Sequence, residues 1–276
     1  MRLYKDVCLS VRGAGHIQLD MPCQDFAASV VMENRAVAAV ADGHGSKKHF
    51  RSNIGARLAV EAAIDVIKSY ICDKDFDKLL EIRTEKTICK LKKAIITEWN
   101  VRIKSYHLQN EYSEKELEYI NNENIVVDRW EAVYGTTLIV CMLTERYYFI
   151  LQIGDGNAVV IHSDLIADMP VPKDDRLAGN FTTSLCDSNA IDSFRHKIAF
   201  ENANGVLLST DGLYNSFASE EAFINYNKLI YNYDGDKTVL NNNLEANFLK
   251  RSEEGSRDDI SLAAVMLSNN AKQDLS

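Results

Sequence analysis

Four short stretches of this chain run from an apolar segment into a carboxylate, or the reverse. They are VAAVADGHGS with Asp42, Gly43 and His44, FILQIGDGNA with Asp155, VLLSTDGLYN with Asp211, and SRDDISLAAV with Asp258. A single Asp-Gly is a common turn, because Gly accepts positive φ and Asp bonds its own backbone. Four carboxylates gathered at one edge are another matter, since they repel one another unless a cation neutralises them. Oxygen donors with no His or Cys cluster suit Mg2+ or Mn2+ rather than zinc. Two such ions about 3.5–4 Å apart lower the pKa of a shared water and grip an oxyanion, which is what phosphate ester hydrolysis requires. The departing alkoxide then needs an acid. His44, two residues beyond Asp42, is the candidate; its plainer role is a hydrogen bond within a turn.

Strands are expected wherever short, β-branched apolar runs meet turn residues: 7–11, 26–32, 37–41, 136–143, 147–153, 158–161, 198–200, 206–208 and 260–266. Gly154-Asp155-Gly156-Asn157 between two of these runs reads as a hairpin turn. Apolar residues at helical spacing mark two faces, Ile54, Leu58, Ala62, Val66 and Ile88, Leu91, Ile95, Trp99. Ser113 and Glu116 have capping-box spacing. Further helices are expected over 220–230, capped by Ser219, and over 238–250. The order is strands, a helical block at about 54–122, more strands, helices and a last strand. With no βαβ alternation, this is an α+β pattern of antiparallel sheets covered by helices. Residues 163–196 are polar and turn-rich, the profile of a functional lid or flap. No low-complexity linker divides the chain, so residues 1–276 read as a single domain.

The balance of the chain excludes several classes. Net charge is −9 over 276 residues, which argues against nucleic acid and anionic membranes as partners. The first residues lack the apolar core of a signal peptide, and no apolar run is long enough to span a membrane. Six scattered cysteines without a C-x-x-C pair read as reduced thiols in a cytoplasmic protein. No cysteine is followed by the Arg of a cysteine-phosphatase loop, no P-loop is present, and GDGNAV lacks the third Gly of a dinucleotide fingerprint.

Taken in order, Gln24-Asp25, ADGHGS, YGTTLIV, QIGDGNAVV, LLSTDGLYN and SRDDISL resemble the metal-dependent protein Ser/Thr phosphatases, the PPM or type 2C family. The resemblance spans most of the chain. It implies a four-layer α-β-β-α sandwich and an enzyme that hydrolyses phosphoserine and phosphothreonine with a metal-bridged hydroxide and no phosphoenzyme. It implies two Mg2+ or Mn2+ ions, with a third in many members. Asp42 then bridges two metals and the Gly43 carbonyl binds one of them. Asp211 and Asp258 bind the other, and Asp155 helps hold the third. Asp25 matches an acid that orients the site, His44 matches the proposed general acid, and residues 163–196 match the flap. A phosphoprotein substrate and a partner Ser/Thr kinase in a signalling role come from the same resemblance.

The chain also departs from the pattern. Many members carry an Arg four residues before the acidic pair, where it grips phosphate; here Asp20 stands in that register, and the pair is Gln24-Asp25 instead of Glu-Asp. GAGHIQLDMPCQD resembles a bacterial branch with a His ahead of Pro-Cys-Gln-Asp. His16 is the first candidate to replace the Arg, with Arg12, Lys47, Lys48 and Arg51 behind it. Gln24 brings no charge, so the second metal is expected to bind more weakly. The lost Arg and Glu also admit a weak or inactive relative acting as a regulatory binding module, although retention of Asp42, Asp211, Asp258 and His44 opposes it. A hydrolase of small phosphate esters is a third, weaker reading.

Overall fold

Apolar runs buried on both faces need a layer on each side, and the molecule supplies them. The computed structural model describes residues 4–127, 129–174 and 182–268. Strands are β1 (Tyr4–Val11), β2 (Asp25–Val31), β3 (Arg35–Asp42), β4 (Leu138–Thr144), β5 (Tyr148–Ile153), β6 (Asn157–His162), β7 (Ala167–Asp168), β8 (Arg195–Ala199), β9 (Ala203–Ser209) and β10 (Ile260–Leu267). Helices are α1 (Ala14–Gln18), α2 (Ser52–Ile71), α3 (Phe76–Ile82), α4 (Thr84–Gln109), α5 (Glu114–Asn122), α6 (Ala190–Ser193), α7 (Asp211–Tyr214), α8 (Glu220–Asn232) and α9 (Lys237–Arg251). Among the described residues the strands form two antiparallel five-stranded sheets, in the orders β1-β10-β9-β6-β7 and β2-β3-β4-β5-β8. This is the expected α+β sandwich.

Strand alternation sorts the side chains into three cores. In β3, Ala36, Ala38 and Val40 face the other sheet and meet Val160, Leu208 and Val265. Val37, Ala39 and Ala41 face outward onto α2 and α4, where Leu58, Ile67, Leu91 and Trp99 are buried. On the far side, Val159, Leu207 and Leu262 pack under Phe223 of α8 and Leu244 and Phe248 of α9. The layers are therefore helix, sheet, sheet, helix.

The local signals hold at the helix starts. The Ser113 hydroxyl accepts the Glu116 N–H and the Glu116 carboxylate accepts the Ser113 N–H, a complete capping box on α5. Ser219 caps α8 by accepting the Ala222 N–H. One expectation is corrected: β5 and β6 are not a hairpin. β5 pairs with β4 and β8, and β6 pairs with β9 and β7, so the Gly154–Asn157 turn carries the chain from one sheet to the other. The reason is burial on both faces. β6 puts Val160 between the sheets and Val159 and Ile161 under α8 and α9, a placement only the second sheet offers. Of the expected flap, β7 and α6 are short elements, and residues 175–181 lie outside the described residues.

Candidate active site

Asp42 is the last residue of β3, and its antiparallel partner in β2 is Asp25. Two carboxylates directly opposed across a sheet are unfavourable in themselves. The backbone of Asp42 is held on both sides by the Tyr-Gly-Thr-Thr segment. Its N–H donates to Thr137 Oγ1 at 3.0 Å, and its carbonyl accepts Thr137 N–H at 2.8 Å and Thr136 Oγ1 at 2.9 Å. Gly43 N–H donates to the Gln24 carbonyl at 3.1 Å. The Asp25 side chain crosses to the other sheet, where Oδ2 accepts Thr210 Oγ1 at 2.7 Å.

Asp155 sits in the turn that changes sheets. Gln152 donates from Nε2 to the carbonyl of Gly156 at 2.6 Å and to that of Gly154 at 3.4 Å, bracketing Asp155. Gly154 N–H donates to Thr183 Oγ1 at 3.0 Å, and Arg195 donates to the carbonyls of Gly154 and Pro172. Asp211 opens α7. Its Oδ2 accepts Asn215 Nδ2 at 3.0 Å, while its Oδ1 is buried with no hydrogen-bond partner.

Asp42, Asp155 and Asp211 each present an oxygen, all within 4.8 Å of one another. Asp258 stands outside that trio, yet its charge is felt by Asp25, Asp42 and Asp211. Burial, and then mutual repulsion, holds Asp25 and Asp42 well above the usual carboxylate range. The same causes push Asp211 up to about 6, and burial raises Asp258. A protein without a cation there must protonate the cluster or bear the repulsion. An orphaned buried oxygen and three converging carboxylates, with no His or Cys grouped with them among the described residues, fit hard divalent cations. Beside the trio opens a cleft of ≈ 380 Å³ lined by Asp155, Asp211, Asn157, Lys173, Arg195 and Asn215, among others.

His44 follows on the same loop, with its N–H on the Gly135 carbonyl at 3.2 Å. Its ring lies 5.0 Å from that of His49, centroid to centroid. Gly135 makes this possible, because a Cβ there would come within 2.5 Å of His49 Nδ1 and 2.9 Å of His44 Cδ2. Burial, and then the charges of His49 and Lys48, push His44 down to about 3, so the imidazole is neutral near pH 7. Cys23 donates from Sγ to the Asp25 carbonyl at 3.7 Å, and burial drives its thiol far up.

Most of the basic candidates are already paired. His16, in α1, places Nδ1 2.8 Å from Asp259 Oδ1. Arg12 contacts the exposed Asp20 at 3.5 Å, Lys47 pairs with Glu123, and the buried Arg51 pairs with Glu116. Lys48 makes no ion pair among the described residues. Sequence reasoning missed Gln152, Thr210 and Asp259 as supports. Gln152 had a signal, being the one amide in the apolar run YYFILQI.

A family model described as Protein phosphatase 2C matches residues 12–249. No curated protein matches the chain. Among solved structures, a serine/threonine phosphatase of S. agalactiae superposes with a TM-score of 0.59 at 16% identity, covering 96% of this chain and 100% of that one. The catalytic domain of the serine threonine protein phosphatase PstP, solved with two manganese ions, gives 0.57 at 14% identity, covering 98% and 100%. A bacterial serine phosphatase gives 0.56 at 16%, covering 97% and 98%. At these identities the superpositions speak to the fold alone.

Proposed function

The chain belongs to the protein phosphatase 2C family, and from that premise we propose that the carboxylate cleft is where it dephosphorylates serine and threonine side chains. The enzyme is a Mn2+- or Mg2+-dependent protein phosphatase acting on phosphoproteins. The observation that carries the assignment of the site is the convergence of Asp42, Asp155 and Asp211 within 4.8 Å, with a buried Asp211 oxygen left unpaired. Asp42 with the Gly43 carbonyl, and Asp211 with Asp258, would hold two cations; Asp155 would share in a third. Bound there, divalent cations supply Lewis acidity and a water of lowered pKa.

The chain's own groups supply the rest. Asp25, fixed by Thr210, orients the floor of the cleft through its pairing with Asp42. Hydrolysis forms a bond from water oxygen to phosphorus and breaks the bond from phosphorus to the seryl or threonyl oxygen. That oxygen leaves with a proton, and His44 is the donor. Its imidazole is neutral until a dianionic phosphate ester beside it favours the protonated form. Water is the nucleophile, in keeping with the state of Cys23, whose raised pKa leaves it a thiol.

A Ser/Thr kinase acting on the same substrates is the matching partner. The free cysteines fit a reducing compartment such as the cytoplasm. Among the described residues, no helix is long and apolar enough to cross a membrane.

The test is hydrolysis of p-nitrophenyl phosphate and of a phosphothreonine peptide. Activity should vanish in EDTA and return with Mn2+, and Asp42→Asn and Asp211→Asn should each abolish it. Turnover that survives EDTA or either substitution would sink the assignment.

A further inference from the structure

We propose that His16 and Asp259 are a positioning pair that sets the spacing of the metal-holding carboxylates, so that His16 acts through Asp259 and does not touch the phosphate. The proposal rests on the phosphatase reading of the cleft. The Asp259 side chain is only 1% exposed, and both its oxygens are engaged. Oδ1 accepts the Gly13 N–H at 2.6 Å and lies 2.8 Å from His16 Nδ1, an ion-pair contact rather than an aligned hydrogen bond. Oδ2 accepts the Gln24 N–H at 2.6 Å.

These contacts reach the cleft along the backbone. Asp259 is bonded to Asp258, and Gln24 to Asp25, whose strand partner is Asp42. One buried carboxylate thereby ties together the start of β10, the start of β2 and the segment leading into α1. The docking is tight: a Cβ on Gly13 would come within 2.3 Å of the Asp258 carbonyl carbon. The Ser252 hydroxyl closes the same joint, donating to the Asp258 carbonyl at 2.8 Å and accepting the Ala14 N–H at 2.9 Å.

Asp259 is also a negative charge set among Asp25 and Asp258, which it repels. The imidazole of His16 is the basic side chain in contact with it, beside the Cys23 thiol, and a buried carboxylate stripped of such a partner is strongly disfavoured. Losing that partner would let Asp259 shift, and Asp258 and Gln24 with it. Residues that orient metal ligands in this indirect way commonly matter about 10- to 100-fold in metal affinity.

The experiment uses Mn2+ binding to the metal-free protein, read by calorimetric titration, beside steady-state kinetics and inhibition by inorganic phosphate at saturating Mn2+. Asn places its side-chain nitrogen near where Nδ1 sits, whereas Gln reaches toward the position of Nε2. We expect His16→Ala and His16→Gln to weaken Mn2+ binding about 10-fold or more and to lower kcat, with KM and the phosphate inhibition constant unchanged. His16→Asn should restore most of the affinity. Unchanged Mn2+ binding in His16→Ala would overturn the proposal. So would rescue by Gln instead of Asn together with a raised phosphate constant, because then the imidazole holds phosphate. If His16→Ala does not fold, the contrast between Asn and Gln decides alone. A parent protein that took up no Mn2+ would overturn both this pair and the phosphatase site; a parent that binds Mn2+ and turns over, with variants equal to it, overturns only the pair.

Discussion

The role proposed for His44 asks it to give away a proton that its surroundings discourage it from holding, since its pKa is pushed down to about 3. The leaving group therefore decides how much it matters. A seryl or threonyl alkoxide needs protonation, and p-nitrophenolate does not. His44→Gln should lower kcat on a phosphothreonine peptide by about 10²–10⁴ while affecting p-nitrophenyl phosphate far less. Equal losses on both substrates would show that the ring merely shapes the cleft. Asp42, Asp155 and Asp211 stand out in the sequence because each ends an apolar run beside a glycine, and His44 because it follows Asp42 by two residues. Thr210 and Asp259 could not be assigned that way, and Gln152 showed only as the one amide in its apolar run. They act by bonding to backbone or to a distant side chain, and such contacts leave no spacing behind. For the same reason, pairing in space had to sort His16, Arg12, Lys47 and Arg51, each basic and each near the N-terminal motifs.

Helix α5 shows what a polar segment needs in order to dock. It has no buried residue of its own, and it is fastened through Arg51. That guanidinium donates to both Glu116 oxygens, to the carbonyls of Asn110 and Glu111, and to the Tyr134 hydroxyl, and it lies over the Tyr112 ring. Arg51→Ala should cost about 2–3 kcal/mol, below a fully buried pair because Glu116 is partly exposed. Hydrogen exchange should show α5 loosened first. Arg51 draws Glu116 down to about 2. A lowered carboxylate stabilises above its unfolded pKa, near 4.3, and that contribution is lost as pH falls through the folded value. Protection of α5 should thus persist at about pH 5 and fade toward pH 2; protection that survives at pH 2, or in Arg51→Ala, would refute the latch. The nine apolar strand runs and the main helices were readable because periodicity and caps are local. The parting of β5 from β6 was not, because a Gly-Asp-Gly-Asn turn has the same chemistry whether its two strands pair or go to different layers.

The cleft draws Asp25 and Asp42 from one sheet, Asp211 and Asp258 from the segments that follow β9 and precede β10 of the other, and Asp155 from the turn between the sheets. A cation bound at the proposed site would therefore staple the two sheets at one end, and its removal would leave raised carboxylates behind. The sign follows. Folded pKa values above the unfolded one mean that this contribution is intact in acid and is lost as pH rises through them, for Asp211 near 6. The melting temperature of the metal-free protein should therefore fall between about pH 5 and pH 7, and Mn2+ should flatten that slope. A metal-free protein whose Tm did not change over this range would contradict the account of the cluster. The same layout bears on how the chain comes off the ribosome. Strand β10 lies between β1 and β9, and Tyr4 pairs with Leu267. The first strand emerges and must wait for the last described one before its edge is covered. Such distant pairing folds slowly and exposes unpaired edges meanwhile. On the proposed assignment the cleft is incomplete until β10 arrives with Asp258 and Asp259 at its head, so a nascent chain short of that strand is expected to be inert toward a phosphoprotein.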